Sequence, residues 1–154
     1  MTADLITFLR ARLDEDEAVA QGTTVPLDWH QGPGDDPDWT TSEMVLMWPP
    51  EHHTPYEQDK HWRGLTADPE GLAAHIARHD PARVLAEVEA KRRIMGLHPV
   101  IGGWEDEGGH DLGLGCECCG HSEEYSDRGG WCETLRLLAA AYADHPDYRE
   151  EWRP

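Results

Sequence analysis

The stretch Cys116-Glu117-Cys118-Cys119-Gly120, followed later by Cys132, decides how the C-terminal half of this 154-residue chain folds. It contains Cys-x-x-Cys-Gly, the pattern of a zinc knuckle, in which two thiolates bind one tetrahedral Zn²⁺ and the glycine lets the backbone turn back. Cys132 lies at the start of the last predicted helix, where the helix dipole favours a thiolate. These sulfurs predict a structural zinc site, one ion per chain, with Cys116, Cys119 and Cys132 as ligands.

The fourth ligand of this site is expected to be a histidine. The order of knuckle, short loop and helix-start cysteine resembles half of a treble clef, but the usual last cysteine is replaced by Leu135. His98 is the preferred ligand, because it ends a long predicted helix and would tie the loop to the core. His121 ranks below His98, because it lies too close to the knuckle in the chain for relaxed coordination geometry. His110 is the third candidate.

Two other interpretations of the cysteines stay open at this point. Cys118 is the extra thiol and is expected to be exposed rather than bound. All four cysteines could also be reduced and unligated, as thiols are in a reducing compartment. A redox or catalytic pair is disfavoured, because the Cys-x-x-Cys lacks the βαβ surroundings of thioredoxins.

The rest of the chain predicts an α+β fold in a single domain, residues 1–154. Three to four helices are expected to pack on a small antiparallel sheet or hairpin, with a loop held by zinc. Six prolines exclude a long helix from the Trp-rich middle, where 25–29 and 43–48 are the strand candidates. The predicted segments are a helix at 3–20, a Trp/Pro-rich β segment at 21–67, a helix pair at 69–97, a Cys-rich loop at 99–131 and a helix at 132–142 followed by a tail.

Helical periodicity indicates which side chains form the core. The first helix carries an apolar stripe, and so does the second helix of the pair. The tail is expected to dock through Tyr148 and Trp152. The two stripes consist of Leu5, Ile6, Phe8, Leu9, Leu13, Val19 and Ala20, and of Val84, Leu85, Val88 and Met95.

His75 and His79 are the other pair of residues with a metal-binding spacing. They are four apart on one helix face, but Leu72 and Ile76 share that face, which favours two buried histidines bonded within the core. The zincin pattern needs Glu after the first histidine, and position 76 is Ile. No nucleophile, base and oxyanion site can be assembled from the sequence, so an enzyme is disfavoured.

Acidic residues outnumber basic ones 31 to 13, giving a formal net charge of −18. That balance argues against direct binding of nucleic acid, which needs clustered Lys and Arg. There is no apolar run of membrane-spanning length and no basic signal peptide, so we expect a cytoplasmic protein without membrane contact. The one local excess of basic residues is expected to be a solvated helix face. It comprises Arg78, Arg83, Lys91, Arg92 and Arg93.

Three stretches of the chain resemble an uncharacterised family of small proteins that is common in actinobacteria, especially streptomycetes, and in their phages. Members often place a Cys-x-x-Cys and a later cysteine before the last helix, which matches Cys116, Cys119 and Cys132. The resemblance implies a fold and a host range but no activity. The similar stretches are DLITFLRARLDEDE at 4–17, HIARHDPARVL at 75–85 and YADHPDYREEW at 142–152.

Three functions remain in competition. The first is a non-catalytic, zinc-stabilised accessory or protein-interaction protein of phage or actinobacterial origin, with a protein partner. The second is an acidic inhibitor that mimics nucleic acid and blocks a DNA-binding or defence protein of the host, as acidic runs such as 105–107 and 123–127 allow. The third is a small zinc metalloenzyme with an open coordination position.

The charge balance generates a first prediction. The chain should show no affinity for duplex DNA at physiological salt, because five basic residues on one helical segment cannot offset 31 acids. Fluorescence anisotropy of a labelled random duplex is the measurement. Micromolar binding that weakens with salt would contradict the prediction and identify the basic helix face as a site.

Overall fold

The computed structural model describes residues 4–22, 30–33, 43–46, 64–67 and 72–154. The chain divides into two compact units, Met1–Glu15 with Val88–Pro154, and Asp16–Glu87. In the described ranges, no helix is long and apolar enough to cross a membrane. The helices are α1 (Leu5–Gln21), α2 (Leu72–Arg78), α3 (Pro81–Leu97), α4 (Glu123–Asp127) and α5 (Glu133–Ala140), with a final 3₁₀ turn at Glu150–Trp152. The strands are β1 (His30–Pro33), β2 (Glu43–Leu46), β3 (Gly64–Ala67), β4 (Val100–Glu105) and β5 (Asp111–Cys116).

The unit Asp16–Glu87 contains a three-stranded antiparallel sheet in the order β1-β2-β3. Helix α2 packs against β1 and β2. The predicted α+β class with a small antiparallel sheet is therefore confirmed. The strand candidate at 25–29 lies outside the described residues, as do Trp29, Trp39 and Trp48. Pro33 ends β1, where it pairs with Glu43.

His75 and His79 differ from the expectation that they are buried. Both side chains are exposed on α2, with ring centroids 4.4 Å apart. Nδ1 of His79 lies 2.8 Å from the carbonyl oxygen of His75. Leu72 is itself 37% exposed, so the face of α2 that the sequence predicts to be buried is partly open to solvent.

In the other unit, the region 99–131 contains regular structure where the sequence predicts a loop. Strands β4 and β5 form an antiparallel hairpin in which Val100 pairs with Cys116 and Glu105 with Asp111, with irregular register around Trp104. The short helix α4 follows. These strands read VIGGWE and DLGLGC, and glycine weakens the strand signal in a sequence.

The core of this unit consists of buried side chains from α1, α3, α5 and the C-terminal tail. The stripe of α1 supplies Leu5, Phe8, Leu9 and Leu13, which are all buried, whereas Val19 is 75% exposed in the other unit. On α3, Val88 and Met95 are buried. Leu85 is only half-buried, so it is a weaker core residue than its place in the stripe predicts.

Trp152 is the centre of an aromatic cluster that docks the tail. Its side chain is fully buried, and its ring centroid lies 4.8 Å from that of Phe8. The rings of Tyr148 and Trp131 meet it edge to face at 5.9 and 6.4 Å. The guanidinium of Arg149 lies 5.4 Å from the Trp152 ring centroid, in cation–π geometry. Such contacts add to the stabilisation from area burial.

Arg136 is a buried charge that joins three elements of the unit. Its side chain projects from α5 and is almost fully buried. Nη2 donates to Glu124 of α4 at 2.7 Å, and Nη1 donates to the carbonyl of Arg153 at 3.2 Å. A buried charge without its partner is strongly destabilising, so this pairing fixes how α5 lies against α4 and the tail.

Burial on α5 generates a prediction with a control on the same helix. Leu135→Ala should lower the free energy of unfolding by about 2–5 kcal/mol, because Leu135 is fully buried and truncation leaves a cavity. Leu137→Ala removes the same atoms from a side chain that is 55% exposed, and its effect should stay within about 0.5 kcal/mol. Urea unfolding followed by circular dichroism measures both. Equal losses would show that the buried face of α5 is misassigned.

Candidate metal centre

Four side-chain atoms meet at one point in the C-terminal half. They are Nδ1 of His98 and the Sγ atoms of Cys116, Cys119 and Cys132, and all lie within 4.8 Å of one another. Nδ1 of His98 lies 3.4 Å from Cys116 Sγ, 3.3 Å from Cys119 Sγ and 3.6 Å from Cys132 Sγ. With Zn–S and Zn–N bonds of about 2.3 and 2.0–2.1 Å, a tetrahedral site places its nitrogen about 3.6 Å from each sulfur. The cluster therefore has the dimensions of a Cys₃His zinc site.

The end of α3 and the start of β4 position His98 beside the knuckle. The His98 N–H donates to the carbonyl of Met95 in the last turn, at 3.2 Å. After Pro99 the chain enters β4, whose first residue Val100 pairs with Cys116. The Glu117 N–H donates to the carbonyl of Pro99 at 3.0 Å. The histidine and the first cysteine are thus fixed by backbone hydrogen bonds on both sides.

The knuckle is closed by two backbone hydrogen bonds between Cys116 and Gly120. The Cys116 N–H donates to Gly120 at 3.0 Å, and the Gly120 N–H donates to Cys116 at 2.8 Å. Gly120 has φ +88°, which a side chain would disfavour. Cys119 lies inside this turn and is exposed, whereas Cys116 is fully buried. The glycine of the predicted pattern therefore makes the tight turn expected of it.

Cys132 is the N-cap residue of α5, as the sequence predicts. Its backbone is extended (φ −68°, ψ 164°), and its carbonyl accepts the Arg136 N–H at 3.2 Å. The side chain makes no capping hydrogen bond and is fully buried. A thiolate here would gain from the positive end of the helix dipole.

Gly130 allows the chain before Cys132 to approach the hairpin. Its φ is +83°, and a Cβ at this position would lie 2.9 Å from Cβ of Leu114 and collide with Cγ1 of Val100. The Gly130 N–H donates to the carbonyl of Tyr125 at the end of α4, at 2.6 Å. No motif in the sequence identifies this residue, and its only signal is the Gly129-Gly130 pair before the helix.

The thiol of Cys119 lies close to those of Cys116 and Cys132, which favours its protonated form. Although Cys119 as a residue is exposed, partial loss of water around its thiol raises its pKa to about 12, and the neighbouring thiols of Cys132 and Cys116 add to the shift. Negative charges this close together repel one another and disfavour the thiolate form. A divalent cation among them would favour the thiolate form instead. A cation bound among these sulfurs would therefore stabilise Cys119 as a thiolate.

The remaining residues considered for the site lie outside the cluster. Cys118 is exposed, as expected of the extra thiol. Nε2 of His121 lies 2.8 Å from the carbonyl of Leu112, to which it can donate. The ring of His110 lies 3.0 Å from Asp106, and the backbone N–H and ring of His110 hold the pKa of Asp106 below its usual value. Of the three histidines, His98 is the one that the structure brings to the sulfurs.

The role of Gly130 can be tested against a second glycine of almost equal φ. Gly130→Ala should cost about 1–2 kcal/mol for the left-handed backbone and about 1–3 kcal/mol for overpacking against Leu114 and Val100. Gly103 has φ +82° with nothing within 4 Å of an added Cβ, so Gly103→Ala should cost the backbone contribution alone. Denaturant unfolding measures both variants. A loss no larger for Gly130→Ala than for Gly103→Ala would refute the close packing.

Comparison with known proteins gives one match. No curated protein and no solved structure is found to match the chain. A family described as a family of unknown function matches residues 2–154. That range includes all four clustered residues and the three similar stretches of the sequence. The chain therefore belongs to the family of unknown function DUF6221.

Proposed function

We propose that this protein binds one structural Zn²⁺ through Cys116, Cys119, Cys132 and His98. The observation that carries the proposal is the convergence of three sulfurs and one nitrogen within 4.8 Å. Soft thiolates with one imidazole form a ligand set typical of zinc in a tetrahedral site. His121 and His110 are not needed, because the four clustered atoms already complete the coordination.

The proposed site serves stability rather than catalysis. Catalytic zinc sites generally keep three protein ligands and an open position for water or substrate, whereas structural sites have four protein ligands. The cluster offers four ligand atoms, and two of the residues, Cys116 and Cys132, are fully buried. Four protein ligands leave no open coordination position, which disfavours a small zinc metalloenzyme.

A zinc-held framework without a catalytic constellation is typical of interaction modules such as RING and LIM domains. We therefore propose a non-catalytic accessory protein that acts through a protein partner, in an actinobacterium or a phage as the sequence resemblance implies. Helix α3, which carries Arg83 and Arg93, is not the preferred contact surface for an acidic partner. Arg83 pairs with Glu87 at 2.8 Å, and Arg93 pairs with Glu89 at 2.9 Å, so their charge is already balanced.

Several carboxylates that a nucleic-acid mimic would need are likewise engaged. Asp14 pairs with Arg92, and Glu124 pairs with Arg136, each at 2.7 Å. A mimic must present unpaired carboxylates in a regular array, as the phosphates of a duplex are presented. The ion pairs therefore favour the accessory role over the acidic inhibitor.

Metal content tests the proposed site. Purified protein should contain one zinc per chain by elemental analysis, and both Cys119→Ser and Cys132→Ser should lose it. Cys118→Ser is the matched control, because Cys118 neighbours Cys119 in the chain but lies outside the cluster. Retention of zinc by the first two variants, or metal-free protein that remains folded at 99–131, would refute the site.

The histidine ligand is tested by a second pair of variants. His98→Ala should weaken zinc binding in a chelator competition assay, whereas His121→Ala should not, since His121 bonds to the carbonyl of Leu112. Chelation should release amide protection across 99–131 in hydrogen exchange while α1 and α3 remain protected. The reverse order of the two histidines would change the fourth ligand and leave the three cysteines in place.

A further inference from the structure

A cleft of about 660 Å³ lies beside the metal cluster, between the first turns of α1 and the end of α3. Its size falls within the range of small-molecule sites, about 300–1,000 Å³. Ile6, Met95, Pro99 and Val100 give it apolar walls. His98 also lines the cleft, so the metal cluster and the cleft share one residue.

The two carboxylates at the cleft already have partners. Asp14 accepts a hydrogen bond from Arg92 at 2.7 Å, and Asp4 accepts one from Nε1 of Trp131 at 3.0 Å. Neither carboxylate therefore needs a cation from a ligand. Two other side chains at the cleft, Arg10 and His98, can supply hydrogen-bond donors.

Arg10 is the first of these donors. It lines the cleft from α1, and its guanidinium makes no hydrogen bond or ion pair with any described residue. A guanidinium presents its N–H donors in a planar fork that matches a carboxylate. An unmatched arginine at an apolar cleft favours an anionic ligand.

His98 is the second donor. Its Nδ1 faces the three sulfurs, so a metal on Nδ1 obliges Nε2 to carry the proton. Nε2 has no hydrogen-bond partner in the part of the chain that the structure describes. Metal-bound histidines almost always donate this second N–H to a carboxylate, a carbonyl or water. With a metal on Nδ1, His98 would therefore offer a second N–H donor from a residue that lines the cleft.

We propose that the cleft binds a small monocarboxylate with an apolar body. The carboxylate accepts hydrogen bonds from Arg10 and from Nε2–H of His98, and the apolar body lies against Ile6, Met95 and Val100. The proposal rests on the proposed zinc site, because the metal fixes the tautomer of His98. Ligand and zinc then strengthen each other's binding, since a carboxylate on Nε2–H makes the imidazole a better ligand.

Titration of the zinc-loaded full chain with hexanoate tests the proposal by isothermal calorimetry. Hexanoate should bind saturably, whereas hexanamide, which has the same body without the charge, should bind about tenfold more weakly or not at all. Arg10→Gln should weaken hexanoate binding by about tenfold or more. Arg93→Gln is the matched control, because Arg93 pairs with Glu89 and does not line the cleft.

A variant that fills the cleft provides a test independent of charge. Gly96 lines the cleft, and an added Cβ meets no atom within 4 Å, so Gly96→Leu should fold and block hexanoate. Zinc content is measured in every variant by elemental analysis. Zinc-loaded protein that fails to bind hexanoate, or binds it equally in Arg10→Gln, would overturn the ligand site alone. Purified protein without zinc would overturn the metal proposal instead.

Discussion

The approach of three cysteine sulfurs to one histidine nitrogen is the constraint on which the C-terminal half depends. Between His98 and Cys132 the fully buried apolar side chains of the described core are the ligands Cys116 and Cys132 themselves. Ordering a backbone costs about 1–2 kcal/mol per residue, and this stretch has few apolar groups to offset that cost. A structural zinc contributes about 10–16 kcal/mol in finger peptides. The region therefore centres on four candidate metal ligands rather than on a hydrophobic core.

The same unit has a second centre of stability of a different kind. Around Trp152, the ring of Tyr148 from the tail packs edge to face, and the ring of Phe8 from α1 lies 4.8 Å away in a tilted arrangement. Arg136 connects the two centres, since it lies on the helix that Cys132 caps and bonds to the carbonyl of Arg153. A small acidic chain with a thin core thus combines aromatic packing with a site for a metal cross-link.

The parts of the fold that the sequence could predict are those where one local signal suffices. The stripe of Leu5, Phe8, Leu9 and Leu13 predicts α1 and its buried face, and a cysteine before a helix predicts the N-cap position of Cys132. The spacing of the knuckle likewise identifies Cys116 and Cys119. His98 could be preferred because it ends a helix that is anchored in the core.

The parts that could not be predicted depend on contacts distant in sequence. The hairpin of β4 and β5 is glycine-rich, so its strands carry little propensity of their own and form through pairing and the fixed turn at Asp106. The exposure of His75 and His79 depends on which distant segments pack against α2, and the local sequence does not reveal those segments. Gly130 owes its role to Val100 and Leu114, which no local pattern connects to it.

The sequence separation of the clustered residues determines the order in which such a centre can assemble during folding. Cys116 and Cys119 belong to one turn, so they can capture an ion while the chain is still open. His98 lies 18 residues before Cys116 and 34 residues before Cys132. The entropy of loop closure rises by only about 0.6 kcal/mol for each doubling of loop length, so both distant ligands can join once α3 and α5 exist. In the proposed site, metal capture would begin locally at the knuckle and would end when the last ligand closes the longest loop.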